Sequence, residues 1–310
     1  MKARTPFLFG VDVEEPVVAG SRGAAPLEQL VDIYLALLAE IGGRGTFFIL
    51  GEIARRYPAL VARVVAQGHE IACHSDRHIP LDQLGPEEFR TDLRRNLASL
   101  RDAGASDVIG YRAPSFSLIA ATDWAYKIMA EEGITYSSSV LPARNPLYGW
   151  PGFGRAPKVI DGVLELPMTL LASRALQLPA AGGVYFRTLP WFIVKRSLRR
   201  LRDEGEPVLG YFHPYDVDCG QSYGTFPGFS RWSAASGLLF YNRRATLLRL
   251  RQLMAMGFSF EAYRSRLPSM DQTRGGKDAA PLPTATPDLV GPPEQSQTSP
   301  GFEAVELSEI

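Results

Sequence analysis

Cysteine is scarce: Cys73 and Cys219 are the only two in 310 residues. Two widely spaced thiols are not a disulfide framework, and a chain of this length buries enough core to need none. The simplest reading is a reducing compartment. Net charge is also missing, with 33 Lys plus Arg against 33 Asp plus Glu, so neither nucleic acid nor a strongly anionic membrane is an expected partner. No stretch approaches the roughly 18–20 apolar residues of a membrane span. The apolar run that follows Lys2 and Arg4 stops at Asp12, too soon for a secretory signal. Together these absences predict a soluble, cytoplasmic protein with no transmembrane segment. The oligomeric state stays open. Two catalytic signatures are absent as well. The first apolar run, FLFGVDVEEP, carries acids where a dinucleotide fold would have GxGxxG, and there is no GxSxG nucleophile elbow.

What is present is an alternation. Leu27, Leu30, Val31, Tyr34, Leu37, Leu38 and Ile41 recur at helical spacing until Gly42 and Gly43, and GTFFIL follows as a buried strand. Later helical patterns run up to Gly68, Gly104, Gly133, Gly205 and Gly257, and are followed by HEIACHS, DVIGYRA, ITYSSS, PVLGYFH and FSFEAY. With FLFGVD and GVLELP this makes seven or eight β-units. The expected fold is therefore α/β, a distorted (β/α) barrel of seven or eight parallel strands in a single domain over residues 1–267. Residues 140–160 read as a long loop over one face. Residues 268–310 are rich in Pro, Thr, Gly and Gln, and read as a disordered tail.

The chain has four histidines: His69, His74, His78 and His213. His74 and His78 lie in HSDRH, directly after EIAC. A spacing of four would put both imidazoles on one face of a helical turn, where both can bind one ion; two surface histidines would give the same string. FLFGVD runs straight into Asp12, Glu14 and Glu15. Arg112 follows DVIGY, and His213 follows PVLGYF. Each has a structural reading, as a solvated strand end, a salt-bridge partner or a hydrogen-bonded histidine. Their joint placement favours chemistry. All fall at the C-terminal ends of separate predicted strands, which in a (β/α) barrel converge on one face. Two imidazoles and a carboxylate with an open position form the ligand set of a hydrolytic zinc site. A second carboxylate can take a proton from water, and a histidine opposite can protonate a leaving amine. Cys73, one residue before His74 on a strand, should point away into the core.

DVE near the N-terminus, HSDRH some sixty residues later, YRAPS and a late FHP resemble, in this order, the polysaccharide deacetylases of carbohydrate esterase family four. The resemblance spans residues 6 to about 266. GYRAPSFS, YSSSVLP, GGVYFR and HPYDVD are similar to a branch linked to bacterial exopolysaccharide biosynthesis. The resemblance implies a distorted (β/α) barrel, removal of acetyl groups from N-acetylglucosamine units, and Zn2+ or another divalent transition metal. It implies Asp12 as general base, Glu14, His74 and His78 as ligands, Arg112 as the holder of Asp12, and His213 as general acid. The backbone N–H of Ser115, after Pro114, would help hold the oxyanion. The family's adjacent aspartates are here Asp12 and Glu14 with Val13 between, which leaves Glu15 as a competing ligand. The family's later Asp-Trp motif has no match, so Asp216 and Glu165 are both candidates for the partner of His213.

Trp150, with Tyr148 and Phe153, could stack on a sugar or cap the core. Tyr185 lies in GGVYFR, whose paired glycines allow either a close approach to substrate or a plain turn before a helix at Pro190. The basic run Lys195, Arg196, Arg199, Arg200 and Arg202 reads as a solvated helix face. The leading function is metal-dependent deacetylation of an N-acetylated saccharide. The alternatives are a small-molecule or cyclic-amide hydrolase on the same scaffold, and a catalytically silent carbohydrate-binding protein.

Overall fold

A computed structural model describes residues 4–16, 18–145, 147–173, 177–226 and 234–267; the tail expected over 268–310 lies outside them. The chain begins with β1 (Thr5–Val13), α1 (Leu27–Glu40) and β2 (Thr46–Ile49). Next come α2 (Gly51–Arg56), α3 (Pro58–Ala66), β3 (Glu70–Cys73), α4 (Pro86–Asp102) and β4 (Gly110–Tyr111). The middle holds α5 (Ala125–Glu131), β5 (Tyr136–Ser137), β6 (Lys158–Ile160) and β7 (Val163–Glu165). Then follow α6 (Gly183–Thr188), α7 (Trp191–Glu204), β8 (Val208–Phe212), α8 (Ala234–Phe240), α9 (Ala245–Ala255) and β9 (Phe258–Glu261).

The strands form one curled sheet in the order β6-β7-β5-β4-β3-β2-β1-β8, with β9 also on β1. Among the described residues, β6 alone of these strands runs antiparallel, which leaves eight parallel strands, as expected. The first part of β1 pairs with β9, Thr5 opposite Phe258 through Leu8 opposite Glu261. Its last part pairs with β2, Gly10 opposite Thr46 through Val13 opposite Ile49. Between β7 and β8, two described segments continue the wall: Gly182 bridges Tyr211, and the Leu209 N–H donates to the Thr169 hydroxyl.

Alternation along β1 explains both layers. Phe7, Phe9, Val11 and Val13 pack outward under the helices. Leu8 joins the interior cluster of Phe48, Ala72, Tyr136 and Tyr263. Both faces of the strand are buried, as in other parallel sheets. The same alternation sends Gly10 and Asp12 inward.

Two elements differ from expectation. The end of the 140–160 loop is a strand, β6, hairpinned onto β7. GGVYFR is itself helical, as α6, ahead of the α7 helix that starts after Pro190. On α7, Arg196, Arg199 and Arg200 lie exposed, in keeping with a solvated face. Among the described residues, no helix is long and apolar enough to cross a membrane.

Candidate metal centre and active site

β1, β3, β4 and β8 each deliver a polar side chain from their C-terminal ends to one rim. Asp12 is the penultimate residue of β1, and Glu14 follows the strand. His74, Arg112 and His213 directly follow β3, β4 and β8. The donor atoms of Glu14, His74 and His78 all lie within 4.8 Å of one another, and His78 Nε2 stands 2.7 Å from Glu14 Oε2. Across from them, His213 Nε2 is 4.0 Å from Asp12 Oδ2 and 3.8 Å from Glu14 Oε1.

The two motif histidines do not meet on a helical turn. Ser75 and His78 both have left-handed backbone, φ 73° and 59°. This double reversal, in place of the expected helix, brings the rings to 5.3 Å. Such conformations persist when the surroundings over-determine them. Here the Ser75 carbonyl accepts from the Gly51 N–H and from the Asn96 side chain, and Asp76 is gripped by Arg55 and Arg95.

Burial and neighbouring charge set the protonation of these groups. Burial keeps His74 neutral, with its pKa down at about 4. Its Nδ1 faces the Arg112 carbonyl at 2.8 Å, so the proton sits on Nδ1 and Nε2 offers its lone pair. Burial alone would raise the pKa of Glu14, but the charge and hydrogen bond of His78 outweigh it and hold the carboxyl at about 2. A half-buried carboxylate beside two imidazoles, one with its proton turned away, is a donor set that fits a divalent transition ion. Glu15, the competing carboxylate, is instead paired with Arg56 at 2.7 Å.

Asp12 is held from below. Arg112 is fully buried and donates from Nη1 to Asp12 Oδ1 at 2.6 Å. Its Nε donates to the Ser138 carbonyl, and its Nη2 to the hydroxyls of Ser138 and Tyr263. The guanidinium lies over the Phe48 ring at 3.9 Å. The Gly10 position makes room for it, since a Cβ there would sit 2.9 Å from Arg112 Nη1.

Of the two candidate partners for His213, the structure selects Asp216. Asp216 Oδ2 accepts from the His213 backbone N–H at 2.9 Å and faces its Nδ1 at 3.2 Å. Burial lowers the affinity of His213 for its proton, but Asp216 and the charge of Glu14 outweigh that and lift the pKa to about 9. Glu165 is bound elsewhere, to the N–H groups of Ser139 and Val140 and to the Tyr126 hydroxyl. Tyr215 stacks on the His213 ring at 4.6 Å, and the Tyr34 hydroxyl donates to the His213 carbonyl.

The expected substrate residues divide. Pro114 is buried in a tight turn, whereas Ser115 is exposed with left-handed backbone, φ 54°. Phe116, also left-handed, puts its ring 4.8 Å from Tyr211. Tyr185 is half-buried beside Tyr211. Trp150 behaves as a core cap, 5.0 Å from buried Phe153 and packed on the main core. Tyr148 bonds to Asp82. Gly182 makes a close approach, but to protein: a Cβ there would meet the Tyr211 ring at 2.3 Å. The sequence reading missed Gly10, Ser138 and Tyr263, and it singled out Arg187 only as part of GGVYFR, with no link to Asp216. The glycine inside an otherwise bulky strand was the one signal available, since such a residue often marks a close approach.

Comparison with known proteins bears on the family and the fold. Residues 18–136 match the polysaccharide deacetylase family, and residues 138–267 match a domain family of unknown function, DUF3473. A chitooligosaccharide deacetylase of Sinorhizobium fredii is 38% identical over 81 residues, 26% of this chain and 38% of that protein. A peptidoglycan-N-acetylglucosamine deacetylase of Bacillus cereus is 36% identical over 50 residues, 16% of this chain and 18% of that protein. The matched stretches thus span well under half of these relatives. Among solved structures, a Mycobacterium smegmatis protein described as a polysaccharide deacetylase superposes with a TM-score of 0.56 at 20% identity, covering 83% of this chain and 82% of the other. The Puue allantoinase superposes with a TM-score of 0.57 at 16% identity, covering 89% and 93%. At these identities the two structures speak for the fold. The segment that matches the polysaccharide deacetylase family, residues 18–136, carries both motif histidines and Arg112.

Proposed function

We propose that this protein hydrolyses N-acetyl groups on an amino-sugar saccharide, releasing acetate and a free amine. The observation that carries the reading is the placement of Asp12 and His213 beside the Glu14–His74–His78 group, each held by its own buried partner. A divalent transition ion, zinc by the imidazole-rich donor set, would be held by Glu14, His74 and His78 and would supply Lewis acidity toward the acetyl carbonyl. Asp12, its Oδ1 fixed by Arg112, takes a proton from the attacking water on Oδ2. His213, protonated at neutral pH, gives its Nε2 proton to the sugar nitrogen as the C–N bond breaks. The exposed Ser115 turn offers its backbone N–H to the developing oxyanion. The segments GYRAPSFS, YSSSVLP and HPYDVD support an exopolysaccharide or its precursor as the saccharide.

The test is acetate release from a panel of N-acetylated oligosaccharides, with and without chelator. Release that chelator abolishes and zinc restores supports the reading. Hydrolysis of cyclic ureides in place of saccharides would move it to a cyclic-amide hydrolase on the same scaffold. Saccharide binding without turnover of either class would make this a binding protein.

A further inference from the structure

Behind His213 lies a second buried ion pair. Arg187 and Asp216 are both fully buried, and Arg187 Nε donates to Asp216 Oδ1 at 3.0 Å. Asp216 thus divides its oxygens, one to Arg187 and one to His213. The rest of the Arg187 fork is spent on one place. Nη1 donates to the carbonyls of Leu238, at 2.8 Å, and Tyr241, and Nη2 donates to that of Leu239 at 2.8 Å. These carbonyls lie at and just beyond the C-terminal end of α8, where backbone acceptors lack helical partners and carry partial negative charge.

The corner between α8 and α9 grips back. Asn242, left-handed at φ 56°, donates from Nδ2 to the Arg187 carbonyl at 2.7 Å. Thr246 Oγ1 donates to the Asp216 carbonyl at 2.9 Å. Residues 238–246 therefore hold both members of the pair by main chain and side chain. A buried ion pair is a poor way to gain stability, because an apolar pair of similar shape often serves as well. What this pair does that an apolar one could not is keep a charged carboxylate in a fixed orientation on Nδ1 of His213.

We infer that Arg187 is a positioning residue for His213, acting through Asp216, and that Asn242 latches the α8–α9 corner to it. The inference rests on the proposed role of His213 as proton donor, but its first readout does not require turnover. Long-range proton–nitrogen NMR spectra of the imidazoles, with four histidines in the chain and His213→Gln to assign the signal, report the Nδ1 proton of His213. In the wild-type chain this proton is held by Asp216 and exchanges slowly. In Arg187→Met it exchanges fast. Asn242→Gly, which tolerates the left-handed backbone and loses only the latch, gives an intermediate spectrum. A wild-type His213 signal in a folded Arg187→Met protein overturns the inference.

The second readout is acetate release from N-acetylated chitooligosaccharides. Arg187→Met should lower kcat by about 10–100-fold, the usual effect of removing the group that orients a functional histidine. KM and bound zinc should stay near wild type, and Arg187→Lys should recover part of the loss. Arg187→Met with Asp216→Asn should lose no more than Asp216→Asn alone, since both act through one carboxylate. Multiplied losses overturn the inference. The charge-neutral double variant also serves if Arg187→Met alone fails to fold, its imidazole spectrum then matching that of Asp216→Asn. If the wild-type chain releases no acetate, the proposed function fails, and the imidazole spectra alone decide the role of Arg187.

Discussion

Asp12 gives one carboxylate oxygen to Arg112, at 2.6 Å, and turns the other toward His213. Glu14, two residues on, also has one oxygen near His213, at 3.8 Å, but gives the other to His78 at 2.7 Å. The two carboxylates thus share His213 and differ in their close partner, Arg112 for Asp12 and His78 for Glu14, and that difference predicts different variants. Asp12→Asn keeps the shape and removes the proton acceptor. Zinc content should stay near one per chain while acetate release falls by about 10²–10⁴, the range for a positioned base. Metal analysis beside kinetics checks it. An emptied site in Asp12→Asn with a full one in Glu14→Ala would exchange the two roles.

Zinc affinity should fall in Glu14→Ala, His74→Ala and His78→Ala, because each removes a donor from the group gathered within 4.8 Å. Glu15→Ala should bind zinc as the wild type does, since its carboxylate is engaged by Arg56 on the surface. Competition titration against a chelating dye measures all four. A loss in Glu15→Ala comparable to that in Glu14→Ala would show that the carboxylate ligand had been misassigned.

The strand-end residues were legible because each lies beside a buried run that announces its own strand. Asp12, His74, Arg112 and His213 needed only local pattern and the rule that barrel strands converge. Their supports were not legible, because those contacts join distant parts of the chain: Tyr263 meets Arg112 across 151 positions, and Arg187 meets Asp216 across 29. The spacing of His74 and His78 gave the right pair for the wrong reason, since a helical turn and a left-handed double reversal both bring positions four apart together. Of the two readings of Trp150, the packing against Phe153 and the core is what the fold displays, and composition does not reveal it.

Acid should destabilise the fold partly through His69. Burial, with Arg44 nearby, lowers its pKa from 6.5 to about 4, and its Nδ1 accepts a hydrogen bond from the Gly45 N–H. The folded state thus needs the neutral ring, whereas the unfolded chain takes up a proton near its ordinary value. The stability contributed is fully present above pH 6.5 and is lost as pH falls toward 4. His69→Gln can still accept from Gly45 and does not titrate. Urea unfolding in chelator, so that the His74 contribution is common to both proteins, should give the variant a shallower decline between about pH 6.5 and pH 4. Parallel declines would show that His69 plays no part.

Gly10, on β1's interior face, should not tolerate a side chain. A Cβ there would sit 2.9 Å from Arg112 Nη1 and 2.9 Å from the Gly210 carbonyl oxygen, with Phe48 at 3.3 Å. The carbonyl belongs to the backbone of paired strand β8 and cannot step aside. The guanidinium is fixed by Asp12, Ser138 and Tyr263 and has no free direction either. Gly10→Ala should therefore cost about 1–3 kcal/mol, the range for overpacking a filled interior. It should also lower turnover by more than the stability loss explains, because displacing Arg112 releases Asp12. The contrast is Gly237, inside α8 with nothing within 4 Å of a built Cβ. There the alanine meets no obstacle and gains helix propensity, so Gly237→Ala should stabilise by about 0.5–1 kcal/mol. Urea midpoints and acetate release on both variants test the pair. Equal stability and full activity in Gly10→Ala would mean that Arg112 has slack, and that its hold on Asp12 is not what this glycine preserves.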